Sequence, residues 1–284
     1  MQFANKVGIM KILIRLLFTI VILFKSVFAS DNGIIYFSPL PMKSEKKTIE
    51  EFLPLVDYLQ NTTSLKIKFN YKKDYNDILK SFIDGSVDIA YLGPLPYAIL
   101  KSRYPYVKPI VSFKREDGTI NYRCVISKFS KDKFDPKKPI KVALTQPLST
   151  CGYYSTHKLL KEKFGILLEN QKYDYTMSHT NALLGVMREE FLLAGSSIDI
   201  AKKFESLGME IIATTELLPA FAIVVNTKTL SDNEIKNITK TLLNIPKSSY
   251  ENMGTRVKYG ISPVDEKSYE MINIKYEIPQ KGNL

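Results

Sequence analysis

The N-terminal part of the chain alternates between short apolar strands and amphipathic helices. In the first helix Phe52, Leu55, Val56 and Leu59 recur at helical spacing. The strands are predicted at 33–37, 65–69 and 87–92, and the helices at 48–59, 74–82 and 94–101. This alternation predicts an α/β fold with helices on the faces of a sheet. Two helices open with a capping-box pattern, one at Thr48 and one at Ser231, each followed three residues later by Glu.

The alternation breaks in the middle of the chain and then resumes. Two strands, separated by a turn at 116–118, are predicted first. The predicted strands are 106–114, 122–127, 140–145, 173–177, 210–213 and 220–226, and the helices are one ending near 163, then 180–190, 198–207 and 231–243. Two α/β blocks without a flexible linker predict two lobes, with strands crossing a hinge between them. We expect residues 30–120 and about 225–284 in the first lobe and 121–224 in the second, with a small-ligand cleft between them.

The N-terminus has the pattern of an export signal. Basic residues surround an apolar run at 12–24, and 27–29 suit a signal peptidase. The alternative is an uncleaved membrane anchor. The run is short for a span of about 20 residues and contains Arg15. We therefore expect a cleaved signal peptide at 1–29 and a periplasmic protein, with translation starting at Met1 or Met10.

The charge of the chain argues against nucleic acid as a partner. The signal peptide carries four basic and no acidic side chains, so its removal lowers the net charge from +11 to +7. The remaining lysines are scattered, and no nucleic-acid-binding motif is present. A mildly basic surface of this kind attracts small anions. The two histidines, His157 and His179, are too few for a histidine-rich metal site, and we expect no metal and no cofactor.

The segment after the strand 140–145 is a candidate anion site. Ser149, Thr150 and Cys151 precede Gly152 at the predicted start of a helix. The first N–H groups of a helix lack partners, and the positive end of the helix dipole lies behind them. Such a start binds anions. The alternative is that Ser149 only caps the helix, and the pattern by itself leaves both interpretations open.

Several motifs occur in an order that resembles a known family. They lie at 73–79, 85–94, 118–126, 149–153, 178–183 and 259–264, the last followed by Tyr269. Together they resemble the periplasmic binding proteins of phosphonate, phosphite and phosphate importers. The resemblance implies the type 2 periplasmic-binding-protein fold. That fold is α/β and two-lobed, each lobe a mixed sheet flanked by helices, with hinge strands between the lobes.

The resemblance also implies a set of ligand-binding residues. They are Tyr75, Tyr91, Tyr122, Ser149, Thr150, Cys151, His179 and Asp199. Hydroxyls and an imidazole N–H are donors to oxygen. The neutral donors of this set, Tyr75, Tyr122, Ser149, Thr150 and His179, are expected to hold an oxyanion by oriented dipoles with little fixed positive charge.

One departure from the family pattern bears on the identity of the ligand. Family members that accept an amino group hold it with acidic residues, and of these only Asp199 is retained, since Phe221 replaces the other. Asp199 also fits as an ordinary residue of a first helical turn. Half of the amine clamp is missing. Phosphate, phosphite, an apolar-substituted phosphonate or another compact anion is therefore expected rather than an aminoalkyl phosphonate.

The two cysteines, Cys124 and Cys151, leave two possibilities. Strand alternation puts Cys124 on the same face as Tyr122, toward the cleft, where Cys151 also lies. A disulfide between them is possible in an oxidising periplasm. The alternative is a pair of buried free thiols.

The expected function is ligand capture for an ABC importer. Open lobes bind the oxyanion, a hinge closes, and a membrane permease recognises the closed form of a monomeric protein. The alternative is a periplasmic sensor of the same fold that docks on a membrane receptor or kinase. Ser149, His179 and Asp199 offer the residue types of a hydrolase triad, but no Gly-x-Ser-x-Gly motif is present, and we expect no enzyme.

Overall fold

The computed structural model describes residues 33–274 of the chain. The predicted signal peptide at 1–29 and both candidate start methionines lie outside the described residues. From Ile35 onward the described chain forms one compact unit. Within 33–274, no helix combines the length and the hydropathy that a membrane span requires.

The described residues form strands and helices that alternate for most of their length. The strands are β1 Ile34–Pro39, β2 Lys66–Phe69, β3 Ile89–Leu92, β4 Val107–Phe113, β5 Cys124–Phe129, β6 Lys141–Leu144, β7 Lys172–Tyr175, β8 Leu193–Ser197, β9 Met209–Thr214, β10 Ala222–Asn226 and β11 Ile261–Pro263. The α-helices are α1 Glu45–Thr63, α2 Tyr75–Ile83, α3 Pro94–Arg103, α4 Thr156–Phe164, α5 His179–Met187, α6 Ile198–Lys202 and α7 Asp232–Leu243. A π-helical turn spans Thr150–Ser155, and 3-10 turns lie at Leu168–Asn170, Glu205–Leu207, Lys247–Asn252 and Glu266–Met271.

The strands form two mixed sheets. The first has the order β11-β4-β10-β3-β1-β2, in which β1 is parallel to β3 and β10 is antiparallel to β3 and β4. The second has the order β7-β6-β8-β5-β9, in which β6 is parallel to β7 and β8 and β5 is antiparallel to β8 and β9. We call each sheet with its helices a lobe. Between the sheets the chain passes through 114–123 and again through 215–221.

Three hydrophobic clusters fill the described molecule. One belongs to the first lobe and includes Phe52 of α1 and Ile238 of α7. Another belongs to the second lobe and includes Leu183 of α5. The remaining cluster, which we call the shared core, contains residues of both lobes, for example Ile78 and Leu160. The burial of apolar side chains on the sheet faces is the main stabilising contribution in such an arrangement.

Only one of the two predicted capping boxes forms. At Ser231 the side chain accepts from the backbone N–H of Glu234 at 3.3 Å, and Glu234 accepts from the N–H of Ser231 at 2.8 Å. At Thr48 the prediction is wrong, because α1 begins a turn earlier, at Glu45. Thr48 is buried inside the helix, and its hydroxyl donates to the carbonyl of Lys43 at 3.3 Å. The residues before Thr48 are good helix formers, and helical propensity extends the helix through them.

The sequence prediction omits strand β8, which lies between β6 and β5 in the second sheet. After Leu193 this strand contains only small residues and lacks the β-branched and aromatic side chains typical of strands. Glycine is needed at Gly195 because the Thr156 side chain packs against it, and a Cβ there would collide with that side chain. The predicted helix 198–207 is also wrong in length, since α6 ends at Lys202.

Candidate ligand-binding site

A cleft of about 1500 Å³ is lined by residues of both lobes. Every residue predicted for the ligand site lies on its wall. These are Tyr75, Tyr91, Tyr122, Ser149, Thr150, Cys151, His179 and Asp199. The structure therefore brings together residues from distant parts of the chain, while their binding roles stay predictions.

The hydroxyls of Ser149 and Thr150 are oriented by backbone donors. Ser149 Oγ accepts from the N–H of Gly152 at 3.1 Å, and Thr150 Oγ1 accepts from the N–H of Leu95 at 3.0 Å. Ser149 therefore caps the helix start and also lines the cleft, so its position fits both the helix-cap and the anion-site interpretations of the motif. Because each hydroxyl oxygen already accepts a hydrogen bond, its proton is available to donate to an oxyanion.

The helix predicted after this loop begins as a π-helical turn. The backbone N–H of Tyr154 donates to the carbonyl of Ser149 at 3.1 Å, a wider ring than an α-helix closes, and regular α4 starts only at Thr156. At Gly152 a Cβ would collide with the side chain of Thr145, so the turn requires glycine there. Single π turns of this kind frequently occur at functional sites.

Among the residues predicted for the ligand site, two buried polar atoms have no hydrogen-bond partner within the described part of the chain. They are the hydroxyl of Tyr122 and Nδ1 of His179. The Tyr122 hydroxyl approaches Thr150 without reaching hydrogen-bond geometry. Burial, and then the charge of Arg256, lowers the pKa of His179 to about 4, so its imidazole is neutral at neutral pH. Buried polar groups are normally paired, which makes both atoms candidates for contact with a ligand.

Aromatic rings form the wall of the cleft at Phe221. The Phe221 ring stacks on Tyr91, with centroids 5.4 Å apart, and tilts against Tyr122 at 5.8 Å. A Cβ at Gly93 would stand 2.9 Å from this ring, so glycine makes room for it. Burial raises the pKa of Tyr75, Tyr91 and Tyr122, which keeps their hydroxyls protonated. As expected from Phe221, this end of the cleft is apolar.

The carboxylate of Asp199 already has a cationic partner. Asp199 lies in the first turn of α6, and its Oδ1 is 2.5 Å from a terminal nitrogen of Arg115. Its side chain is 51% exposed at the cleft. Sequence reasoning missed Arg115, which comes from the segment between the two sheets. This pairing engages Oδ1 of Asp199 and places a positive charge beside the carboxylate, which opposes the approach of an ammonium group.

The structure joins Cys124 and Cys151 in a disulfide, so the alternative of two free thiols is wrong. Cys151 lines the cleft, whereas Cys124 is fully buried and is not one of the cleft residues. The alternation argument for Cys124 was wrong because β5 begins only at Cys124, and Tyr122 forms an isolated bridge with Leu218 instead. The disulfide ties the loop that contains Ser149 to the start of β5.

Sequence reasoning also missed a charged cluster on the cleft wall. Arg256 Nε lies 2.8 Å from Glu51 Oε1, and Lys43 Nζ lies 3.1 Å from Glu51 Oε2. Burial raises the pKa of Glu51, but Arg256, Thr255 and Lys43 outweigh it and hold this pKa below its ordinary value. The expected donor set without fixed charge is therefore incomplete. No motif contains Arg256, and its contact with Glu51 joins positions far apart in the chain.

Two α/β lobes around a cleft lined with hydrogen-bond donors define the class of two-lobed solute-binding proteins. Residues 37–269 match the family described as "ABC transporter, phosphonate, periplasmic substrate-binding protein". This match spans most of the chain. The chain therefore belongs to the family of periplasmic substrate-binding proteins of phosphonate ABC transporters, as the sequence motifs predicted.

Individual proteins with similar sequences or structures include the following. The phosphate-import protein PhnD of Mycolicibacterium smegmatis is 26% identical over 129 residues, which span 43% of this chain and 40% of that protein. PhnD1 of Prochlorococcus marinus, solved with methylphosphonate, has a TM-score of 0.72 at 13% identity and covers 85% of this chain and 96% of its own. A phosphonate-transporter binding protein from Pseudomonas aeruginosa has a TM-score of 0.70 at 16% identity and covers 85% of both chains. These structural similarities show the two-lobed fold.

Proposed function

We propose that this protein captures a small phosphorus oxyanion in the periplasm and delivers it to the membrane permease of an ABC importer. The main support for an oxyanion ligand is the group of hydrogen-bond donors in the cleft. The Tyr122 hydroxyl and His179 Nδ1 are buried without partners, next to Ser149 and Thr150 hydroxyls that are oriented by backbone N–H groups. Phosphate import by the Mycolicibacterium smegmatis relative and the methylphosphonate complex of the Prochlorococcus marinus protein support the same ligand class.

Capture requires a change in the distance between lobes and no covalent step. The segments 114–123 and 215–221 connect the sheets and are the candidate hinges. Ligand donors come from both lobes, with Tyr75 and Tyr91 on the first and Ser149 and His179 on the second. An anion that contacts both sets stabilises the closed form, which the permease then recognises. We expect a monomeric binding protein without catalytic activity and, from the family, export through a cleaved signal peptide.

The cleft favours an anion that has no amino group. By the family resemblance, Phe221 stands in place of one acid of the amine clamp, and the other acid, Asp199, is paired with Arg115. An ammonium group at this end would lose its hydration without gaining an unpaired carboxylate. The ligands proposed are therefore phosphate, phosphite and a phosphonate with an apolar substituent.

A thermal-shift screen of the exported, processed protein tests this function. The panel is phosphate, phosphite, methylphosphonate, aminoethylphosphonate and sulfate. A ligand at about a hundred times its dissociation constant stabilises the fold by roughly 2.7 kcal/mol. We expect a shift with one of the first three anions that is lost in His179→Ala and kept in the control Ser130→Ala, whose side chain is exposed away from the cleft. Absence of a shift with every phosphorus anion would contradict the proposed ligand class.

A further inference from the structure

The cleft wall contains a cation that faces the predicted ligand residues. Arg256 lines the cleft with a side chain that is 28% exposed. Its Cζ lies 5.6 Å from the centre of the Tyr91 ring. Its charge also acts on Tyr75 and His179, which belong to different lobes. The guanidinium is therefore located where the ligand residues of the two lobes meet.

Buried contacts fix the position of this guanidinium. Arg256 Nε lies 2.8 Å from Glu51 Oε1, and the Glu51 side chain is only 7% exposed. Glu51 is itself held by the hydroxyl of Thr255, which donates at 2.8 Å, and by Lys43 at 3.1 Å. A Cβ at Gly254 would collide with the carbonyl of Glu51, so glycine permits the close approach of these two segments. The cluster is built to hold Arg256 in one place.

The cluster keeps a positive charge after its internal pairing. Glu51 contributes one negative charge, while Lys43 and Arg256 contribute two positive charges. Burial disfavours the charge of Arg256, but Tyr91 and Glu51 outweigh it and raise its pKa above the ordinary value. Arg256 is therefore charged throughout the neutral range. Nε lies 2.8 Å from Glu51 Oε1 but has no hydrogen-bond partner among the described residues, so N–H donors of the guanidinium remain for a ligand.

We propose that Arg256 binds the ligand directly and that its fixed charge makes the cleft select doubly ionised phosphorus oxyanions over singly ionised ones. This inference rests on the proposed function and adds a residue and a charge preference to it. The other predicted donors are neutral hydroxyls and a neutral imidazole, which bring no net charge of their own to distinguish the two ionisation states. A guanidinium in a partly desolvated site gains more from a second negative charge, because charge-assisted hydrogen bonds are stronger than neutral ones.

Calorimetric titration of the exported, processed protein tests this role. Methylphosphonate and phosphate are titrated below and above their second ionisation. The groups that face Arg256 are Glu51, Lys43, Tyr75, Tyr91 and His179. With the pKa of His179 lowered to about 4, and those of the two tyrosines raised, these three side chains do not change protonation state across the neutral range. A change in affinity there reports the ionisation of the ligand.

In the wild type we expect tighter binding of the doubly ionised ligand. Arg256→Gln should weaken that binding about ten- to a hundredfold, the range of a charge-assisted hydrogen bond, and remove the preference for the second charge. Arg256→Lys should keep the preference and lose part of the affinity, because a point charge replaces the planar fork. Arg188→Gln is the matched control, since Arg188 is exposed on the second lobe and pairs with Glu190.

A second variant guards against misfolding of Arg256→Gln, which leaves Glu51 with fewer partners. The double variant Arg256→Gln and Glu51→Gln leaves no buried carboxylate without its arginine partner. We expect it to lose the preference for the doubly ionised ligand as well. If either folded variant keeps the wild-type affinity and pH profile while His179→Ala abolishes binding, the role of Arg256 is wrong and the proposed function stands. If the wild type binds neither of these anions nor phosphite, both proposals fail.

Discussion

The two walls of the cleft are built in different ways. The second-lobe wall presents small neutral donors, Ser149, Thr150 and His179, at the starts of a π-helical turn and of α5. The first-lobe wall presents aromatic rings and the paired charges of Glu51 and Arg256. The donors of the second wall come from short segments of chain, whereas the first wall joins residues from α1, α2, β3 and the C-terminal part of the chain. Local structure thus positions one wall, and tertiary packing positions the other.

This difference separates two kinds of recognition. Oriented hydroxyls and helix starts recognise the oxygens of an anion at almost any charge state. Under the two proposals, the fixed charge and the rings of the first wall are expected to act on the total charge and on the remaining substituent of the ligand. Changes in each wall should therefore have separable effects on stability, on pH dependence and on ligand choice.

The largest expected effect is on the free energy of unfolding, when the disulfide that holds the Ser149 loop of the second wall is removed. Replacing Cys124 and Cys151 by Ala removes a cross-link between residues 27 positions apart. The chain-entropy model for a loop of this length gives a loss of about 3.5 kcal/mol in the free energy of unfolding. Urea denaturation of the double variant and the wild type measures it. An unchanged unfolding midpoint would show that the loop at Ser149 is held by its hydrogen bonds alone.

The second expected effect couples the two walls through His179. Burial, followed by Arg256 on the opposite wall, lowers the pKa of His179 from 6.5 to about 4 in the folded protein. The unfolded state therefore binds more protons between these values, and the folded state loses stability as pH falls through this window, by at most about 3 kcal/mol. Denaturant unfolding at several pH values should show a shallower acid loss for His179→Gln than for the wild type. Parallel curves for the two proteins would contradict the burial of a neutral imidazole.

Denaturant unfolding of Arg256→Gln at the same pH values tests how much the Arg256 charge contributes to the lowered pKa of His179. Without the opposing charge the pKa of folded His179 should rise, and the acid loss should become smaller. A variant at an exposed arginine, Arg188→Gln, is the control. Identical acid loss in Arg256→Gln and the wild type would mean that the two walls do not interact electrostatically.

The smallest expected effect concerns ligand choice at the aromatic end. Phe221→Asp combined with Arg115→Gln provides one carboxylate and releases another, Asp199, for a ligand ammonium. We expect the affinity for aminoethylphosphonate relative to methylphosphonate to rise by about tenfold. Competition titrations measure this ratio. If the ratio stays at the wild-type value, Phe221 and Arg115 do not set the ligand preference.

The sequence predicts most of the fold and fails where propensity and packing disagree. The pattern at Ser231 predicts its capping box correctly, because the signal is local and complete in four residues. The same pattern at Thr48 is misleading because favourable helix formers precede it. Strand β8 has no local signal at all, since small residues make up most of it and contact with Thr156 requires glycine at Gly195. The order of the strands in the two sheets depends on contacts that no single segment determines.

The residues of the candidate site also fall into those with a local sequence signal and those positioned by long-range contacts. The hydroxyl loop and His179 sit at helix starts, and their motifs predict both their position and their exposure to the cleft. The pairing of Asp199 with Arg115 and the cluster around Arg256 depend on residues that are distant in the chain. Such pairs have no spacing that could be read from one sequence. The charged part of the cleft therefore emerges only from the folded arrangement.

The shared core links the unfolding of one lobe to the unfolding of the other. Side chains of both lobes, among them Leu100, Val142, Leu160 and Val224, belong to one buried cluster. Neither sheet can lose its packing there without exposing apolar surface of the other. Unfolding of the two lobes should therefore be thermodynamically coupled into a single cooperative transition, rather than proceeding lobe by lobe as in proteins whose domains have independent cores.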